Sequence, residues 1–160
     1  MSDTLFRILT EGLCAAFVGP AFAMLFLVPK RYLLIIATSS ALARIIRQSL
    51  YLTDTLEIAS ATFIAAAAIS AIFIYIAPKL QVPRPVFTVT SCISLVPGLD
   101  TYNALLALIS IIHGKHSDLM AESIVLLFNH GMRAFAVLLA ICLGIAIVPL
   151  FFYRYRYHHL

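Results

Sequence analysis

The stretch SLVPGLDTYNALL, Ser94 to Leu106, lies inside an apolar run that begins near Val86 and ends near Ile112. Such a run is long enough to cross a bilayer, whose hydrocarbon core takes about 20 residues of helix. Yet its centre holds Pro97-Gly98, and an acid, Asp100, follows just beyond. Proline removes a backbone donor and clashes with the preceding turn, while glycine frees the chain to bend. The expected result is a spanning helix in two halves, with Asp100 as N-cap of a second half that starts at Thr101. Lipid cannot satisfy the backbone groups that such a break frees, so it is tolerated only when buried in protein or lining a wet cavity.

Working outward, the 160 residues are 62% hydrophobic and 11% charged, and the mean hydropathy is +1.02. A soluble domain carries about 25% charged residues. The composition therefore predicts an all-α integral membrane protein, a single transmembrane domain over 1–160 with no room for a soluble one. Five spans are expected, at about 5–28, 32–52, 57–77, 86–112 and 119–153, the fourth being the broken one. In lipid such helices associate by close packing rather than by burial from water. The third span carries ATFIAAAAISA, Ala61 to Ala71, whose small residues at four-residue spacing mark a packing face.

The net charge of +4 does not imply nucleic acid, because the basic residues flank apolar runs. Lys30, Arg31, Lys79, Arg84, Arg154 and Arg156 fall on one side of a five-span topology. The opposite side holds Arg7 and Lys115, with Arg44 and Arg47 if these emerge. The positive-inside rule then places the N-terminus outside and the C-terminus in the cytoplasm of a cell membrane. The tail FFYRYRYHHL fits an aromatic belt with a basic anchor. Ala21-Phe22-Ala23 resembles a signal-peptidase site, but Glu11 interrupts the stretch before it, so a retained first span is expected. Cys14, Cys92 and Cys142 sit singly in apolar sequence, as small buried hydrophobes.

Ionisable residues inside spans cost about 2.5–3.5 kcal/mol each at the bilayer centre and so need a reason. Glu11 follows Arg7 by four residues, which suggests a surface pair. Arg47 is expected near the outer interface, within snorkelling reach. His113, His116, Asp118 and Glu122 surround an outer loop without the spacing of a metal site. Arg44 and Asp100 lie deeper, about 18 and about 21 Å from the cytoplasmic ends of their helices at 1.5 Å per residue. Similar depth predicts that they pair, either as a structural ion pair or as part of a polar pathway.

Half-helix ends at mid-membrane bind carboxylates or ions in secondary transporters. A simple proline kink is the plainer alternative. An ionised Asp100 would repel an anion, so it would bind an ammonium, pair with Arg44 or carry a proton. No nucleophile–base set, phosphate loop or paired acids suited to hydrolysis occurs, so no enzyme activity, metal or cofactor is expected.

The segment PVFTVTSCISLVPGLDTY, Pro85 to Tyr102, resembles the signature of the threonine/serine exporter family. The likeness is nearest to the small five-span subunit found where that exporter is split into two chains. It extends to FAMLFLVP, Phe22 to Pro29, to Arg44 in span two and to Asn129 in span five. Ser94 stands where a further proline is familiar, Leu27 where an asparagine is, and Asp100 replaces a small residue.

The resemblance implies a secondary transporter that exports small polar metabolites on the proton gradient. The substrates would be threonine/serine-type amino acids or small dicarboxylates such as succinate. It also implies a larger five-span partner subunit, so that the two chains form an inverted repeat in the bilayer. Arg44, Pro97, Gly98, Asp100, Tyr102 and Asn129 would line the substrate or ion pathway, and Asp100, Glu122 and His130 are candidates for proton coupling. A homo-oligomeric channel and a non-transporting membrane scaffold remain the alternatives.

Overall fold

The computed structural model describes residues 2–52, 56–113 and 117–157. Residues 53–55 between the expected second and third spans, Lys115, His116 and the end of the tail at 158–160 lie outside them, as do the side chains of Asp118 and of residues 153–157. Every regular element among the described residues is helical. The α-helices are α1 (Ser2–Leu25), α2 (Leu33–Leu52), α3 (Ile58–Leu80), α4 (Arg84–Cys92), α5 (Gly98–His113) and α6 (Ser117–Tyr157). Short 3-10 turns, Lys30–Tyr32 and Ile93–Leu95, precede α2 and follow α4.

Four helical stretches are long and apolar enough to cross a membrane, or five if the interrupted pair Arg84–Leu95 and Gly98–His113 is one span. Their bounds shift from those read in the sequence for local reasons. The third helix continues through Pro78 to Leu80 and ends where Gln81 turns left-handed at φ 54°. Arg84 and Pro85, expected as linker, form the first turn of α4, where a missing proline N–H costs no intrahelical bond.

The first helix ends earlier than expected. Leu27 is left-handed at φ 56°. Val28 N–H donates to the Ala23 carbonyl at 3.0 Å and Leu27 N–H to that of Met24 at 3.1 Å. This is a Schellman ending with leucine where glycine or asparagine is usual.

The chain divides into two compact units. The first comprises Met1–Leu95 and Ala140–Leu160, the second Val96–Leu139. In the first, α1 and α2 form an antiparallel pair held close by small residues. A Cβ on Gly12 would lie 2.8 Å from Ile45 Cγ1, and one on Gly19 would lie 2.8 Å from Ser40 Cβ. On α3, Ala61, Ala65, Ala66, Ser70 and Ala77 are buried, so the small-residue face is a packing face within this chain. It meets the end of α6, where a Cβ on Gly144 would reach Ala66 Cβ at 2.8 Å. Ser70 Oγ also donates to the Ile145 carbonyl at 3.1 Å.

An aromatic cluster fixes α4. Phe87 stacks on Phe73 at 5.2 Å and meets Tyr32 edge-on at 5.4 Å. Tyr32 in turn donates its hydroxyl to the Leu80 carbonyl at 3.2 Å, one of the carbonyls that the end of α3 leaves free. In the second unit, α5 carries exposed Leu99, Tyr102, Leu105 and Ile112, and the first part of α6 carries exposed Ile124, Val125, Phe128 and Phe135.

Candidate functional site

The break falls where the sequence placed it, at Pro97-Gly98. Pro97 offers no N–H to Ile93, and Gly98 N–H turns back to the Val96 carbonyl at 2.9 Å. The Ser94 carbonyl therefore loses its helical donor, and no Leu99 N–H reaches the Leu95 carbonyl. Two arginines of α2 replace them. Arg44 Nη1 donates to the Ser94 carbonyl at 2.9 Å, and Arg47 Nη1 to the Leu95 carbonyl at 2.8 Å. A helix C-terminus carries partial negative charge, so a guanidinium is the fitting cap.

Beyond the break, the Pro97 carbonyl accepts from Thr101 N–H at 3.0 Å and from Thr101 Oγ1 at 2.8 Å. The second half-helix thus begins at Gly98, and Asp100 lies in its first turn instead of capping it. That position suits a carboxylate by the helix dipole, but its oxygens are used elsewhere.

Arg44 and Asp100, expected to pair with each other, each have partners within their own unit. Arg44 Nε pairs with Glu11 Oε2 at 2.9 Å. Asp100 Oδ1 lies 2.9 Å from His130 Nδ1, and Asp100 Oδ2 lies 3.6 Å from Arg133 Nε. Depth along a helix is shared by several residues, and helical phase decides between them. Glu11 is on the α1 face that meets α2, one residue before buried Gly12. For the same reason Glu11 does not pair with Arg7. Arg47, expected to snorkel at an interface, is 6% exposed and points into the bundle.

Two polar clusters result, each within one unit. The first holds Glu11, Arg44 and Arg47 around the carbonyl end at Ser94 and Leu95. Deeper in the same unit, Ser91 Oγ donates to Ser39 Oγ at 3.1 Å, joining α4 to α2. The second cluster holds Asp100, His130 and Arg133. Pro97 is buried and Gly98 exposed at the interruption. Tyr102, Asn129 and Glu122 are exposed and make no side-chain hydrogen bond with any described residue.

Sequence reading missed the roles of Glu11, Arg47 and Arg133. Arg133 follows His130 by three residues, so both fall on one face of α6, a spacing visible in the sequence. The pairing of Glu11 with Arg44, 33 residues apart, left no such local trace.

Chemically, the first cluster offers cationic donors beside one carboxylate. In the second, a carboxylate and an imidazole share a hydrogen bond through which a proton can pass, beside a fixed cation.

A protein-family model described as "Threonine/Serine exporter, ThrE" matches residues 11–151. An uncharacterized protein of Haemophilus influenzae is 30% identical over 150 residues, which covers 94% of this chain and 49% of that relative. The chain thus spans about half the length of the curated relative it matches. No solved structure matches it.

Proposed function

The chain belongs to the threonine/serine exporter family, and from that premise we propose that it is one subunit of a proton-coupled secondary transporter for small polar metabolites. The proposed cargo is threonine/serine-type amino acids or small dicarboxylates such as succinate, moved out of the cell. A larger partner subunit supplies the remaining spans. The match to the Haemophilus influenzae protein supports this division, since this chain covers 49% of that relative and leaves about half of its length unmatched. The chain sits in the cell membrane with its N-terminus outside and its C-terminus in the cytoplasm, as the basic flanks favour.

The observation that carries the proposal is the mid-span break with its carbonyl end held by Arg44 and Arg47. A plain proline kink needs no arginines. A polar backbone end with two guanidinium groups is costly in hydrocarbon and is suited to a wet pathway. Asp100 and His130 are the proposed proton carriers, because the bond between them can hold a proton on either group. Glu122, exposed and unpaired among the described residues, is the weaker candidate.

The test is efflux of preloaded labelled threonine, serine and succinate from transporter-deleted cells. The cells would carry this chain alone, the larger subunit alone, or both. Saturable efflux that requires both chains is the expected result. Efflux with this chain alone would favour a homo-oligomeric channel or carrier, and none with both chains inserted would favour a scaffold.

A further inference from the structure

We propose that Glu11 and Arg44 together form the recognition element for a zwitterionic α-amino acid. Arg44 would take its carboxylate and Glu11 its ammonium. This rests on the transporter reading above and narrows its cargo to amino acids over dicarboxylates.

The pair sits in apolar helices, yet the side chains are 25% and 34% exposed. An ion pair left that open to hydrocarbon would be strongly disfavoured, so the opening faces water or a ligand. Both partners also keep capacity in reserve. Arg44 spends Nε on Glu11 and Nη1 on the Ser94 carbonyl, and its Nη2 has no partner among the described residues. Glu11 accepts through Oε2 only, which leaves Oε1 unpaired among them. One turn along α2, Arg47 is 94% buried by its 6% exposure, and its Nε also lacks a partner there.

An α-amino acid presents the complementary charges side by side. Its carboxylate fits the spare edge of a guanidinium, and its ammonium fits a carboxylate oxygen. Binding leaves the net charge of the cluster unchanged. A dicarboxylate would instead place a second negative charge beside Glu11, and like charges at such range in a partly dry site are repelled. The fixed carbonyl at Ser94 holds Arg44 in place, so the guanidinium is oriented before the ligand arrives.

The test uses the complex of both full chains in proteoliposomes. Labelled threonine exchange is competed by threonine, N-acetylthreonine, threonine methyl ester and succinate. The expected result is that N-acetylthreonine and the methyl ester, each lacking one charge, compete at least about tenfold more weakly than threonine, as loss of a charge-assisted bond requires. Glu11→Gln should weaken threonine about tenfold while N-acetylthreonine is unchanged, so that the preference between them collapses. Arg44→Lys, which keeps a donor for the Ser94 carbonyl, should erase the preference over the methyl ester. If Glu11→Gln weakens all four competitors in proportion, the pair is structural and the inference falls. Transport of labelled succinate without threonine would overturn it too, while leaving the transporter reading intact. Transport of none of the probes by the wild-type complex would remove both.

Discussion

Arg47 Nη1 donates to the Leu95 carbonyl at 2.8 Å, so a side chain from α2 closes the helical stretch Arg84–Leu95. With Arg44 on Ser94, it supplies donors that the turn at Gly98 withholds from the end of this helical stretch. The break is therefore stabilised from another helix, and this makes it testable through either partner.

Arg47→Met keeps most of the buried stem but leaves the Leu95 carbonyl without its donor. A loss of about 1–3 kcal/mol is expected, read as a lower Tm in detergent. Pro97→Ala restores an N–H and lets the helix run on, so in the Arg47→Met background it should recover part of that loss. A double variant that loses the plain sum of both changes would contradict the capping account.

Double-mutant cycles separate the two clusters. Glu11→Gln with Arg44→Gln, and Asp100→Asn with His130→Gln, should each show a coupling of about 0.5–3 kcal/mol. Arg44→Gln with Asp100→Asn should add within about 0.5 kcal/mol, because the two residues have different partners. Strong coupling in the last cycle would restore the pairing inferred from depth.

Two glycines of α6 should respond in opposite ways. Gly144→Leu drives a side chain into Ala66 Cβ and the Phe63 carbonyl, 2.8 and 2.9 Å from a Cβ at that position. A cost of about 1–3 kcal/mol is expected. Gly131 has no atom within 4 Å of a built Cβ, so Gly131→Ala should gain up to about 1 kcal/mol of helix stability. Thermal unfolding of the two variants side by side decides it.

Leu27 holds a left-handed backbone that a β-carbon disfavours, and at 90% exposure its side chain contributes little packing. Leu27→Gly or Leu27→Asn should raise stability by about 0.5–1 kcal/mol. A lower Tm in both variants would mean that the leucine side chain is held by something other than this chain.

If Asp100 and His130 carry the coupled proton, Asp100→Asn should uncouple transport without abolishing binding. Threonine exchange at equal pH on both sides should persist, while accumulation driven by a pH gradient should fall to background. Loss of both activities together would place Asp100 in folding or binding instead.

The sequence by itself determined the membrane class, the helical architecture and the site of the break. Each is a property of composition or of neighbours along the chain: apolar run length, small-residue spacing on α3, and a proline that cannot donate at position 97. The helix ends moved by a few residues: Pro85 fits the first turn of α4, and α3 runs two residues past Pro78.

The partners of the charges were decided only by the tertiary structure. Arg44 and Asp100 were visible as deep ionisable residues and Glu11 was read as a surface partner of Arg7, but depth is a single coordinate. Which of them meet depends on the phase of each helix about its axis and on how closely α1 approaches α2. That approach is set by Gly12 and Gly19, which have no side chain to keep the helices apart. The same packing turned Arg47 inward onto the Leu95 carbonyl. Partners separated by 33 or 48 residues leave no periodic signal, so only the packed helices could bring them together.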